Sequence, residues 1–142
     1  WNTTKNQFRT IMIPGHEKQT HELTDEEFEN ILPLVVRRLK TKVGKSNSVT
    51  NRHVVKVFKR YGFALTEPRF RKIIQHIRIN GLIKGVVSYG NGYFVAEKRS
   101  DIQTNIESLD KRINAQIVTR DSLKHQMKQM FDQQMVDDDP FN

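Results

Sequence analysis

The stretch from Thr66 to Val95 constrains the fold more than any other part of this chain. It opens Thr66-Glu67-Pro68-Arg69-Phe70-Arg71-Lys72-Ile73-Ile74-Gln75-His76-Ile77-Arg78-Ile79-Asn80-Gly81. Thr66 is a helix-capping residue, and Pro68 is tolerated in a first turn, where its missing N–H has no intrahelical partner to lose. Phe70, Ile73, Ile74 and Ile77 recur at helical spacing, so a helix over 66–80 buries one stripe. Its opposite face gathers Lys72, Gln75 and Ile79, flanked by Arg69, Arg71 and His76, and Asn80-Gly81 supplies the stop. Residues 82–88 and 93–97 are rich in β-formers and are joined at Asn91-Gly92, a strong hairpin signal. A basic amphipathic helix therefore runs directly into a hairpin over 82–97.

Upstream, Thr24-Asp25-Glu26-Glu27 has the form of a capping box, with hydroxyl and carboxylate exchanging bonds with each other's N–H groups. Phe28, Ile31, Leu32, Val35 and Leu39 continue as a helical stripe, with Gly44 as a stop. Pro33 breaks that pattern, because it removes a donor and crowds the preceding turn. The helix is either kinked there or split, with a second piece starting near Leu32. Thr50 then caps a second helix through Tyr61. Val54, Val57, Phe58 and Tyr61 share its apolar face, and Arg52, Lys56, Lys59 and Arg60 lie opposite. Residues 1–23 read as a polar arm with a Pro14-Gly15 turn. Residues 24–100 form the main domain, 101–131 a carboxyl-terminal helix, and 132–142 an acidic flexible tail. The expected class is mainly α with a small β-hairpin (α+β).

Charge sharpens the functional reading. The chain carries a net +8, but residues 24–100 hold 16 Lys and Arg against 6 Asp and Glu, whereas residues 101–142 hold 5 against 8. A compact basic block followed by an acidic end points to a polyanionic partner. No apolar run approaches a membrane span, and no secretory leader pattern is visible. Cysteine is absent, which excludes disulfides and thiol chemistry and fits a cytoplasmic setting. The five histidines, His16, His21, His53, His76 and His125, have no metal-ligand spacing, and no phosphate loop, HExxH or GxSxG is present. Neither catalysis, a cofactor nor a metal is expected.

The order helix, short extended link, helix, helix, hairpin resembles the winged helix-turn-helix family over residues 24–98. Arg78-Ile79-Asn80-Gly81-Leu82-Ile83 and Gly92-Tyr93-Phe94-Val95 look like that family's passage from recognition helix into wing. With the long carboxyl-terminal helix, the whole is similar to small DNA-binding proteins of bacteriophages and prophages, for which the compartment is the bacterial host cytoplasm. The brevity of the wing departs from the pattern and argues against extensive minor-groove reading. The resemblance implies that the third helix enters the major groove while the hairpin touches phosphate.

Residue chemistry agrees with that expectation. Arg69, Arg71, Lys72, Gln75 and His76 offer donors to base edges, with arginine and lysine suited to guanine and glutamine to adenine. The helix start at Thr66, together with Arg52 and Lys56, suits phosphate contacts that set register. Lys84, Ser88, Tyr89 and Asn91 are the wing's candidates. Arg78, nearer the apolar stripe, is expected only to neutralise a helix end.

In the carboxyl-terminal helix Ile102, Ile106, Leu109 and Ile113 hold an a/d-like seam. Gln116 and Arg120 interrupt it, Ile117 offers a shifted register, and Leu123, Met127 and Met130 resume it. Either this seam pairs with a second copy to give a homodimer, or the helix folds back on its own domain. The ending Asp137-Asp138-Asp139-Pro140-Phe141 resembles the acidic tails of bacterial single-stranded-DNA-binding proteins, which recruit replication and repair partners. Here Asn142 follows the phenylalanine. The expected function is a duplex-DNA-binding regulator or replication accessory of phage type. The alternative is a protein–protein module or replication-complex adaptor on the same scaffold, recruiting partners through its tail.

Overall fold

The computed structural model describes residues 23–132 and Phe141. The expected arm and the acidic run of the tail lie outside them. The described residues divide into two compact units after Ile102, so the division falls inside the last helix rather than before it.

The first helical segment starts with the reciprocal pair that its sequence dictates. Glu27 N–H donates to the Thr24 hydroxyl at 3.1 Å, and Thr24 N–H donates to Glu27 Oε1 at 2.9 Å. Pro33 is accommodated by a wide turn. Glu27–Ile31 is π-helical, with Leu32 N–H reaching back to the Glu27 carbonyl, and the α-helix α1 runs from Leu32 to Leu39 with the proline in its first turn. The wider turn moves the carbonyls that a proline ring in an unbroken α-helix would strike. The helix is therefore not split at Pro33: its backbone stays right-handed helical through Ile31 and Leu32, with the π-helical turn taking up the proline.

Strand β1 is only Val49–Thr50, and Thr50 caps α2, Asn51–Arg60, by accepting from His53 N–H at 3.1 Å. Helix α3 is Glu67–Asn80, capped by Thr66 and ended by Gly81 in the left-handed region. Strands β2, Val86–Tyr89, and β3, Gly92–Val95, complete an antiparallel sheet of order β1-β3-β2. The sequence expectation of a mainly helical α+β chain with a small hairpin holds, with β1 as a third strand. Both strands are shorter than expected, and the turn is one residue earlier. Tyr89 pairs with Gly92, so the loop is Gly90-Asn91, with positive φ at Gly90 and not at Asn91. That excludes the type I′ turn favoured by Asn-Gly, which needs positive φ at both loop residues.

The shift frees Gly92 for a second task. It faces Thr50 across the β1–β3 pair, and a Cβ there would overlap the Val49 carbonyl oxygen and stand 2.8 Å from Thr50 Cα. The Asn91 carbonyl accepts from Asn51 N–H at 2.8 Å, so the hairpin tip is fastened to the start of α2. At the other end of β3, Val95 N–H donates to the Lys42 carbonyl at 2.7 Å and Gly44 N–H to the Val95 carbonyl at 2.9 Å.

The core is built from three sources. Phe28, Ile31, Leu32, Val35 and Leu39 come from the first helical segment; Phe70, Ile73, Ile74 and Ile77 come from α3; Ile83, Val86 and Tyr93 come from the hairpin. Helix α2 only edges this core, with Val54, Val55 and Phe58 partly buried. Tyr61, expected on its buried face, is 78% exposed. An apolar groove of about 630 Å³ remains between α1 and α2, floored by Leu34, Val54, Val57 and Phe58, with Arg38, Lys42 and His53 also lining it.

The second unit is helical. Helix α4 runs from Arg99 to Met127, crossing the boundary between units, and ends in a π-helical turn over Lys128–Asp132.

Candidate nucleic-acid interface

The 3.6-residue period of α3 predicts a four-sided sorting of its side chains, and the structure assigns each side. Phe70, Ile73, Ile74 and Ile77 are buried as the sequence indicates. Arg71 is exposed, and Lys72, Gln75 and Ile79 are half-buried, on the opposite face. The surprise is the flank that carries Arg69, Ile73, His76 and Asn80, which lie within about 60° of one another on the helix. That flank lies under the first helical segment.

Two expected DNA contacts are corrected by this packing. His76 is 3% exposed, with its ring edge-on to Phe28 at a centroid distance of 5.8 Å, so it is a core residue and not a reader of bases. Arg69 is held by Glu27: its Nε donates to Oε2 at 2.9 Å and its Nη2 to Oε1 at 2.6 Å. A fork seated on both oxygens of a carboxylate is a strong, oriented pairing, which leaves Arg69 poorly placed to reach a nucleotide. Burial opposes ionisation of Glu27. The Arg69 guanidinium and the N–H and hydroxyl of Thr24 outweigh that, and hold the carboxyl below its ordinary pKa. The same Glu27 thus closes the capping box and anchors α3.

Thr66 is exposed at the start of α3. Its hydroxyl accepts from Arg69 N–H at 3.4 Å and its carbonyl from Phe70 N–H at 2.9 Å. Pro68 has no N–H to give, and the Glu67 carboxylate stands in the same turn. A phosphate would meet few open amides and one negative charge there.

Arg78 does more than neutralise a helix end. Its Nε donates to the Val86 carbonyl at 2.9 Å, its Nη2 to Ser88 Oγ at 3.0 Å, and its guanidinium lies 5.4 Å from the Tyr93 ring centroid. This clamp fixes the end of α3 against β2 and occupies the Ser88 hydroxyl. Arg52 and Lys56 on α2, and Lys84, Ser88, Tyr89 and Asn91 around the hairpin, are all exposed.

One cation escaped the sequence reading. Lys45 Nζ sits 4.4 Å from the centroid of the Tyr89 ring, where it adds a charge to the hairpin. Residues 45 and 89 meet because β1 pairs with β3, and no local pattern announces a contact over that separation. Arg37, Arg38, Lys40 and Lys42 form a further exposed basic run at the end of α1.

Among the described residues no group of three or more histidine, cysteine or acidic side chains could hold a metal ion, and no helix is long and apolar enough to cross a membrane. Comparison with protein-family models, with curated proteins and with solved structures returns no match.

Proposed function

We propose that residues 24–100 bind duplex DNA as a winged helix-turn-helix domain, the chain serving as a regulator or replication accessory of phage type. Helix α3 lies in the major groove, and α2 and the hairpin rest on phosphate. The observation that carries this reading is the segregation of charge on α3. Its apolar and carboxylate-paired sides face inward, while Arg71 and Lys72, with Gln75 one turn on, occupy the outer face. The sheet order β1-β3-β2, with β1 between α1 and α2, supports the winged arrangement. Arg52, Lys56, Lys84 and Lys45 supply cations around that face.

Arg71→Ala and Lys72→Ala are each expected to weaken duplex binding by about 1–3 kcal/mol, the loss of one base or phosphate contact. With about five phosphates neutralised, log affinity should fall with log salt at a slope of about −4 to −5. A mobility-gel titration at moderate salt measures both. Affinity unchanged in the two variants would remove α3 as the reader.

A second reading has one observation in its favour, the groove between α1 and α2. Its floor is apolar and its lining includes Arg38 and Lys42, so it matches an acidic peptide segment with apolar anchors. A protein-interaction module of this kind predicts a shallow salt dependence, and loss of partner binding in Val57→Asp with Arg71→Ala unaffected.

A further inference from the structure

We infer that α4 pairs with α4 of a second copy in antiparallel orientation, about a two-fold axis passing close to Val118. The inference does not depend on DNA binding. From 103 to 127 the helix is unbroken, yet Ile106, Leu109, Ile113, Ile117, Leu123 and Met127 stand between 39 and 59% exposed. A seam of large apolar side chains on one continuous helix is the feature that a second helix covers.

The two residues that interrupt the seam define which way the partner runs. Reading Ile106 as a heptad a position makes Ile106, Ile113, Arg120 and Met127 the a series, and Leu109, Gln116 and Leu123 the d series. A parallel pair brings each residue against its own copy. Arg120 then faces the partner's Arg120 in the seam, two like charges taken out of water together. The flanking g-to-e′ pairs in that arrangement are Asn105 with the partner's Asp110, Arg112 with the partner's Ile117, and Thr119 with the partner's Lys124. None joins opposite charges.

The antiparallel pair reverses every one of these outcomes. Leu109 meets the partner's Met127, Ile113 meets the partner's Leu123, and Arg120 meets the partner's Gln116, whose amide oxygen accepts from a guanidinium. The two polar layers fall together at the centre, with apolar layers on both sides. At the flanking e positions Asp110 faces the partner's Lys124, twice by symmetry, and Ile117 faces the partner's Ile117 on the axis. Arg120 also shares a carboxylate oxygen of Asp121 at 3.1 Å, which lowers the charge that reaches the seam. Polar layers confined to one place in an apolar seam fix register and orientation at a cost in stability.

The test uses the full chain, which contains no cysteine. Leu109→Cys and Met127→Cys are prepared separately, mixed and oxidised. Antiparallel pairing gives a mixed disulfide dimer and little cross-linking of either variant alone, because like positions lie about 27 Å apart along the axis. Asp110→Lys should raise the dimer dissociation constant about tenfold, and adding Lys124→Glu should restore it. Sedimentation of the unaltered chain should show twice 16.7 kDa at tens of micromolar. A monomer at that concentration overturns the proposal. So does efficient self-cross-linking of Leu109→Cys, or a charge-swapped double variant no tighter than Asp110→Lys.

Discussion

Gly92→Ala is expected to lower the thermal unfolding midpoint by on the order of 15 °C, the largest effect of any single methyl in the described residues. The methyl would enter the space of the Val49 carbonyl and Thr50 Cα, and all of these atoms are backbone. No rotamer change relieves such an overlap, so β1 must part from β3. Two further bonds depend on that pairing: the Asn51 N–H to Asn91 carbonyl bond that holds the start of α2, and the Val49–Tyr93 register beneath it. The cost is about 3–5 kcal/mol, at the upper end for one substitution, because a backbone clash and lost ladder bonds combine. Gly90→Ala, in the adjoining loop with open space around its Cβ, should cost far less despite its positive φ. Calorimetry of the two variants makes the comparison. Equal midpoints would mean that the close strand approach does not exist.

The second large effect belongs to the Glu27–Arg69 pair. Arg69→Met leaves a carboxylate that is 8% exposed without its main counter-charge, and should cost about 2–3 kcal/mol. The figure is set below that of a fully buried pair because the Arg69 side chain keeps 33% of its exposure and is partly screened. Glu27→Leu combined with Arg69→Met should recover most of the loss, since the desolvation of both charges disappears with their attraction. Chemical denaturation measures all three variants. The folded-state pKa of Glu27 lies below its unfolded value, so its contribution is present above the ordinary carboxylate range. It is lost as pH falls through the lower, folded value. Acidification through and below the ordinary carboxylate range should therefore destabilise the unaltered chain more steeply than Glu27→Gln. A parallel pH profile in the variant would show that the pair carries no such coupling. Because Arg69 works inward, Arg69→Met should lower stability while leaving the salt slope of DNA binding unchanged. Arg71→Ala should do the reverse.

Much of the architecture is legible in single residues. The Thr24–Glu27 box, the Thr50 and Thr66 caps and the Gly81 stop are local devices whose partners lie within four residues, so spacing alone reveals them. The buried stripe of α3 follows from its period. A disturbance at Pro33 is legible as a conflict between the proline and the apolar pattern, although the π-helical turn that absorbs it without splitting the helix is not. The hairpin is legible, but the Asn91-Gly92 signal puts its turn one residue late. Asn-Gly is the stronger turn signal in isolation, and only the pairing of Gly92 with Thr50 shows why that glycine belongs to a strand.

The candidate interface divides along the same line. Lys72, Gln75 and Arg71 could be assigned to the outer face because a helix sorts side chains by angle, and sequence contains the angle. Arg69 and His76 could not, because the angle says only that they lie beside the apolar stripe. Whether such a flank is wet or dry depends on which element leans over it, and here the element carrying Glu27 and Phe28 comes from some forty residues earlier. Lys45 over Tyr89 is likewise a product of tertiary packing, and Arg78 on Val86 of the way β2 turns back against the end of α3. Sequence by itself determined the helices, their caps, the hairpin and the basic character of the central block, since each arises from period or from neighbours a turn apart. Tertiary structure alone decided which cations face solvent and which are spent on internal carboxylates and carbonyls, because burial is set by contacts between segments distant in the chain.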